Sequence, residues 1–124
     1  MSLFVIDDHP LVREWLGNLL RLQPDLDVCG EAGDPTVALA ALNAHPPDIA
    51  VVDLSLKQGS CLDLIKALRL HSPGVRILVL SMHEDISDIE RAFRAGALGY
   101  VMKRESTGQI VGAIRQVHAG KLYA

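Results

Sequence analysis

The sequence is poor in aromatic residues and cysteine, has no excess of positive charge and contains no long apolar run. Aromatic residues make up 4% of the 124 positions, so aliphatic side chains must build most of any core. Two cysteines are too few for a disulfide scaffold. The apolar runs are far shorter than the about 20 residues that a membrane-spanning helix needs. A net charge of −3 gives no general attraction for nucleic acid or anionic lipid.

The composition indicates one globular domain covering residues 1–124. Apolar residues are 49% of the chain and charged residues 22%, a balance that excludes intrinsic disorder. A chain of this length buries enough surface for a core without metal ions or cross-links. The first apolar segment runs directly into Asp7 and Asp8, which is unlike a secretory signal. We therefore expect a cytoplasmic protein in which Cys29 and Cys61 stay reduced.

Short apolar segments alternate along the chain with longer segments of helical periodicity. This alternation is typical of a parallel sheet with right-handed crossovers and helices on both faces. One segment mixes polar and apolar residues, which indicates an edge strand, namely Leu26–Ala32. The pattern predicts a doubly wound α/β domain with five parallel strands at Leu3–Ile6, Leu26–Ala32, Ile49–Val52, Ile77–Leu80 and Gly99–Met102.

Turn and cap residues mark where the helices begin and end. Pro10 suits a first helical position, and Asp34 followed by Pro35 combines a cap with a helix start. Gly96 is expected to end the fourth helix, because glycine adopts the left-handed backbone found there. The helices therefore fill the gaps between the strands with short loops.

Polar side chains follow four of the predicted strands. Asp7 and Asp8 end the first, Asp53 the third, Ser81 the fourth and Lys103 the fifth. The carboxyl ends of parallel strands open onto one edge of the sheet, where ligands bind in such folds. We therefore expect these side chains to converge, although each of them alone would be an unremarkable cap or turn residue.

The converging groups suit phosphoryl chemistry. Clustered carboxylates repel one another unless a cation joins them, and oxygen ligands suit Mg²⁺. With only Lys103 opposing them, at least one of these carboxyls should have a raised pKa in the absence of metal. A hydroxyl and a lysine can hold phosphoryl oxygens, and one carboxylate can act as the nucleophile that forms an aspartyl phosphate.

Four segments together resemble the receiver domain of bacterial two-component response regulators. They are residues 5–11 (VIDDHPL), 49–56 (IAVVDLSL), 77–84 (ILVLSMHE) and 96–103 (GALGYVMK). The residues of these segments are similar to those of the NarL/FixJ subfamily, whose receivers precede a LuxR-type helix-turn-helix domain. The resemblance covers essentially the whole chain. It implies a flavodoxin-like strand order of 2-1-3-4-5.

The resemblance also implies a role for each matching residue. Asp53 would be the phosphoacceptor and Asp8 a direct Mg²⁺ ligand, with Asp7 acting largely through water. The backbone carbonyl of Ser55 would complete the protein ligands, and Asp53 would share the ion.

Three further residues belong to the switch that the resemblance implies. Ser81 would be the switch hydroxyl and Lys103 the partner of the phosphoryl group. Tyr100 would be the aromatic residue whose rotamer reports the state.

The sequence departs from the family pattern in the loop after Asp53. Lys57 stands where the family commonly has proline, and Cys61 where it commonly has glycine. These changes bear on the shape of the loop, because they restore an N–H donor and disfavour a positive φ. His9 and His83 flank the site in sequence, and we interpret them as rim residues.

The function that the resemblance implies is a signalling switch. A sensor histidine kinase would phosphorylate Asp53, and the domain would control an attached DNA-binding domain absent from these residues. Homodimerisation on phosphorylation is expected, whereas membrane binding is not. The alternative is a Mg²⁺-dependent phosphatase working through an aspartyl phosphate, although such enzymes of the haloacid-dehalogenase type carry the nucleophile on the first strand. A flavodoxin-like cofactor binder and a phosphorylation-independent interaction module are less compatible with the acidic and lysine positions.

Overall fold

The strands and helices alternate strictly along the chain, as the sequence pattern predicts. The computed structural model describes residues 1–54, 56, 60–82, 85–105 and 107–123. The strands are β1 Ser2–Ile6, β2 Asp27–Ala32, β3 Ile49–Asp53, β4 Arg76–Ser81 and β5 Gly99–Met102. The helices are α1 Pro10–Arg21, α2 Pro35–Ala44, α3 Ser60–His71, α4 Ile86–Ala95 and α5 Thr107–His118.

The five strands form one parallel sheet in the order β2-β1-β3-β4-β5. This order confirms the expected flavodoxin-like topology. The predicted edge strand is indeed at an edge, where β2 alternates in exposure and buries only Ala32 fully. The central strand β3 is buried at all its positions, as expected for a strand covered on both faces.

The core has two halves, one on each face of the sheet. Alternate residues of β1 point to opposite faces, so that Leu3 and Val5 pack with α1 and α5 while Phe4 and Ile6 pack with α2 and α3. Aliphatic side chains dominate both halves, as the low aromatic content requires. The described helices are 10–12 residues long, and none of them could span a membrane.

The helix boundaries follow the local signals in the sequence. Asp34 caps α2 by accepting hydrogen bonds from the backbone N–H groups of Thr36 and Val37 at 2.7 and 3.2 Å. Pro10 opens α1. Gly96 ends α4 with a φ of 125°, a backbone conformation that glycine adopts without steric cost.

The last described residues extend the sheet beyond β5. Tyr123 forms a parallel bridge with Gly99, and its backbone N–H donates to the carbonyl of Leu98 at 3.0 Å. The backbone N–H of Tyr100 in turn donates to the carbonyl of Tyr123 at 2.9 Å. The open edge of β5 is therefore paired at its start with the segment that follows α5.

Candidate functional site

The carboxyl ends of the strands bring the predicted polar residues together. Asp7, Asp53 and Ser81 are each 1% exposed, and Lys103 is 8% exposed. The ladder sets their register, because the backbone N–H of Lys103 donates to the carbonyl of Ser81 at 2.8 Å. The backbone N–H of Asp7 donates to Ala32 at 3.0 Å. Charged groups this deeply buried are rare unless they are paired or have a functional use.

Lys103 joins two of the carboxylates. Its Nζ lies 3.0 Å from Oδ2 of Asp7 and 3.1 Å from Oδ1 of Asp53. Burial would favour the neutral amine, but the hydrogen bonds and charges of the two carboxylates outweigh burial and raise the pKa of Lys103. The lysine therefore stays protonated and holds the ends of β1, β3 and β5 together.

Asp7 does not show the raised pKa that the sequence leads us to expect for the cluster. Burial acts in that direction, but the hydrogen bonds from the His9 backbone N–H and from Lys103 lower the pKa of Asp7 below its usual value. Asp7 is thus stabilised as a carboxylate first by the His9 backbone N–H and then by Lys103, which lies within 3.1 Å of both Asp7 and Asp53.

His9 lies among the carboxylates, so the interpretation of it as a rim residue is incomplete. Its Nδ1 is 3.1 Å from Oδ1 of Asp7, 3.1 Å from Oδ1 of Asp8 and 3.6 Å from Oδ2 of Asp53. Half of the ring remains exposed, with 56% of the side chain accessible to solvent. The sequence signal was its position directly after two aspartates, but nothing in that position shows which way the ring turns.

The site fits a divalent cation. Ligand atoms of Asp7, Asp8, His9 and Asp53 all lie within 4.8 Å of one another. Oδ1 of Asp8 is inaccessible to solvent and accepts no hydrogen bond from a described residue. A buried carboxylate oxygen in that condition is costly unless a cation binds it. The predicted third protein ligand, the carbonyl of Ser55, lies outside the described residues, as do His83 and Lys57.

The predicted switch residues are adjacent and buried. Tyr100 is 4% exposed, so its ring points inward in this structure. Burial raises the pKa of the Tyr100 hydroxyl, and a hydrogen bond with Ser81 opposes that increase. Side chains of β4 and β5 are thus linked to each other, and Ser81 directly follows Leu80, the residue that pairs with Asp53 in the sheet.

Cys61 is accommodated without strain. It lies in the first turn of α3, a conformation open to any residue, and is 1% exposed. Burial, together with the negative charge of Asp53, raises the pKa of the Cys61 thiol to about 12. The thiol therefore stays protonated at neutral pH, and this departure from the family pattern packs into the core.

Replacing Asp8 with asparagine is expected to stabilise the metal-free protein. The substitution removes one of the clustered charges while it keeps the shape of the side chain, and a gain on the order of 1 kcal/mol is typical at functional sites. The measurement is denaturant unfolding with and without Mg²⁺. The wild type should be stabilised by the ion through mass action, and the variant much less. A less stable variant without metal would show that the Asp8 carboxylate supports the fold, through contacts such as the 3.1 Å approach of its Oδ1 to His9 Nδ1.

The chain is similar over almost its whole length to known response regulators. Residues 3–115 match the family model described as the response regulator receiver domain. The chain is 37% identical over 121 residues to the DNA-binding transcriptional activator DevR/DosR of Mycobacterium tuberculosis. It is 35% identical over 123 residues to the transcriptional regulatory protein UhpA of Salmonella typhimurium. These matches cover 98% and 99% of this chain but only 56% and 61% of the two regulators.

Solved structures show the same architecture. A two-component response regulator of the LuxR family from Aurantimonas sp. SI85-9A1 superposes with a TM-score of 0.94 at 33% identity, covering 99% of this chain and 88% of that one. The isolated REC domain of RcsB from Salmonella enterica serovar Typhimurium, solved with the phosphomimetic BeF₃⁻, has a TM-score of 0.88 at 26% identity. That match covers 100% of this chain and 93% of the other.

Proposed function

The chain belongs to the response regulator receiver family, and from that premise we propose that it is the phosphoacceptor switch of a two-component system. The observation that carries the proposal is the position of Asp53. Its carboxylate is buried at the end of β3, paired with Lys103 and next to Asp7 and Asp8. A buried aspartate that is paired with a lysine and belongs to a carboxylate cluster able to bind a cation supports a role as the nucleophile that attacks phosphorus.

The proposed reaction moves one phosphoryl group from a sensor histidine kinase to Asp53. A carboxylate oxygen of Asp53 forms a bond to phosphorus while the bond from phosphorus to the phosphohistidine nitrogen breaks, and the electron pair leaves with the imidazole. Asp7, Asp8 and Asp53 would hold Mg²⁺, which when bound neutralises charge on the phosphoryl oxygens. Lys103 Nζ, now 3.1 Å from Asp53, is placed to pair with the transferred group.

The chain should gain one phosphoryl mass when it is incubated with Mg²⁺ and a small phosphodonor such as acetyl phosphate. Intact-mass spectrometry measures the gain, and hydroxylamine should remove it quickly because an acyl phosphate is reactive. Chelation of Mg²⁺ by EDTA is the control and should prevent the gain. An unchanged mass in the presence of Mg²⁺, in protein that is folded by circular dichroism, would contradict the proposal.

The output is proposed to pass through the face formed by α4, β5 and α5. Phosphorylation would draw Ser81 toward the phosphoryl group and favour the inward rotamer of Tyr100 by a population shift. DNA binding is assigned to a separate domain, since one relative is a DNA-binding transcriptional activator and this chain spans only 56% of it. Homodimerisation on phosphorylation is part of the same proposal. A cytoplasmic location is part of the same proposal. The relatives are transcriptional regulators, which disfavours the phosphatase alternative.

Replacing Ser81 with alanine should separate phosphorylation from the response. The variant should gain the phosphoryl mass, because the hydroxyl is not the nucleophile. It should lose the change in amide hydrogen exchange across α4, Ile86–Ala95, that phosphorylation produces in the wild type. Ser72→Ala is a matched control, since Ser72 is another buried serine that bonds to Asn43 away from the site. A full response in the Ser81 variant would remove the coupling role assigned to this hydroxyl.

A further inference from the structure

The side chain of His9 does not cap helix α1, although His9 occupies the capping position. His9 is the N-cap of α1, yet its side chain makes no capping hydrogen bond. Instead the backbone N–H of His9 donates to Oδ1 of Asp7 at 2.9 Å, and the guanidinium of Arg13 donates to the carbonyl of Asp7 at 2.6 Å. These bonds hold the segment from Asp7 to His9 in place, and the ring is turned to the carboxylates.

A hydrogen bond alone does not account for this arrangement. Nδ1 is hydrogen-bonded to Oδ1 of Asp7 at 3.1 Å, which accounts for one of its close contacts. Three carboxylate oxygens, from Asp7, Asp8 and Asp53, lie within 3.6 Å of it. The oxygen of Asp8 lacks a hydrogen bond from the described residues even with the ring beside it. A dication bound by all these atoms would satisfy every one of them.

The two shortest of these distances match the spacing of neighbouring ligands of one metal ion. Ligands about 2.1 Å from an ion, on adjacent vertices of an octahedron, are about 3.0 Å apart. Nδ1 lies 3.1 Å from one oxygen each of Asp7 and Asp8. Coordination by Nδ1 requires the proton on Nε2, and the exposure of over half of the side chain leaves Nε2 access to water.

We propose that His9 Nδ1 is a metal ligand of this site, and that the site binds first-row transition-metal dications such as Mn²⁺ more tightly than Mg²⁺. Carboxylate oxygens suit both classes of ion, but an imidazole nitrogen favours the transition metals, whereas Mg²⁺ retains oxygen ligands and water. The inference rests on the proposed phosphoacceptor site and adds the class of ion that the site selects.

The test compares metal binding by metal-stripped wild-type protein, His9→Ala and His45→Ala. His45 is an exposed histidine at the end of α2, far from the strand ends that form the site, and serves as the matched control. Binding of Mn²⁺ is measured from the electron paramagnetic resonance signal of the free ion, and binding of Mg²⁺ by competition. Electron spin echo modulation of the bound Mn²⁺ reports a directly coordinated ¹⁴N nucleus. Because the His9 side chain caps nothing, the alanine variant should fold normally.

We expect His9→Ala to bind Mn²⁺ at least about tenfold more weakly, since loss of even an outer-shell partner of a metal site has an effect of that size. Its affinity for Mg²⁺ should fall by a smaller factor than its affinity for Mn²⁺, and the ¹⁴N modulation should disappear. His45→Ala should behave like the wild type in all three measurements.

Two kinds of outcome would overturn the inference. Equal Mn²⁺ affinity in the wild type and His9→Ala, or no ¹⁴N modulation in the wild type, would show that the ring does not coordinate. Tighter binding of both Mn²⁺ and Mg²⁺ by His9→Ala would show that the imidazole ring competes with the ion for the carboxylates. In either case retained Mg²⁺-dependent phosphorylation of His9→Ala would leave the proposed function intact. Failure of the wild type to bind Mg²⁺ and to be phosphorylated would instead reject the proposed function itself.

Discussion

Asp53→Asn is expected to gain no phosphoryl mass under conditions in which the wild type is phosphorylated. The amide nitrogen and oxygen of asparagine are poor nucleophiles, so the acyl phosphate cannot form. The fold should survive, because Lys103 keeps its pairing with Asp7 at 3.0 Å. Intact mass in Mg²⁺ and acetyl phosphate gives the result directly, as presence or absence of the added group.

The control for this experiment is Asp63→Asn. Asp63 is an exposed aspartate in the first turn of α3, so its variant should be phosphorylated like the wild type. Modification of Asp53→Asn at the wild-type rate would assign the acceptor to another carboxylate. Asp7 and Asp8 would then be the first positions to map by hydroxylamine cleavage and peptide mass.

Lys103→Met should be the most destabilising of the substitutions considered for this site. The change leaves Asp7 and Asp53, each 1% exposed, without their shared cation. Breaking a buried ion pair by removing one partner typically costs about 3–5 kcal/mol of unfolding free energy. Denaturant unfolding in EDTA measures the loss. Lys66→Met, on an exposed position of α3, is the matched control and should stay within about 0.5 kcal/mol of the wild type.

The dependence of this loss on pH identifies its cause. The pKa of Asp7 is lowered on folding, since hydrogen bonds from the His9 backbone and from Lys103 outweigh burial. Asp7 therefore contributes stability above its unfolded pKa of 3.8, and the contribution is lost as the pH falls below that value. The pKa of Lys103 is raised on folding. Its contribution to stability therefore persists up to about pH 10.5, its unfolded-state pKa, and is lost as the pH rises through the pKa of the folded state.

The difference in stability between the wild type and Lys103→Met should consequently be greatest between pH 3.8 and pH 10.5, and it should become smaller outside this range. A difference that is the same at about pH 3 and pH 7 would indicate lost packing of the lysine side chain in place of lost charge pairing. Lys103→Arg, which keeps the positive charge, should recover part of the stability. A full loss in that variant would show that the geometry of the ammonium group is required.

Much of the architecture follows from local patterns. The alternation of apolar and helical segments was sufficient to predict the parallel sheet, because strands covered on both faces are nearly continuous apolar runs. The polar residues that end these runs were sufficient to predict where the candidate site lies, since the carboxyl ends of parallel strands open onto one edge of the sheet. The mixed polar and apolar composition of Leu26–Ala32 correctly indicated an edge strand. Asp34 marked the start of a helix because its side chain caps backbone N–H groups, and Gly96 marked the end of another because it adopts a positive φ.

Sequence alone could not decide how the charges within the site are paired. The strand-end pattern predicted that Lys103 faces a cluster of carboxylates. In the structure its ammonium group pairs with both Asp7 and Asp53, and the His9 backbone N–H together with Lys103 lowers the pKa of Asp7. The structure also turns the His9 ring into the cluster and pairs Tyr123 with the backbone of β5. Periodicity and caps are local properties of the backbone, and the chain encodes them within a few residues of each other. The direction of a side chain and the sign of a pKa shift depend on atoms from strands far apart in sequence, and these meet only when the sheet has formed.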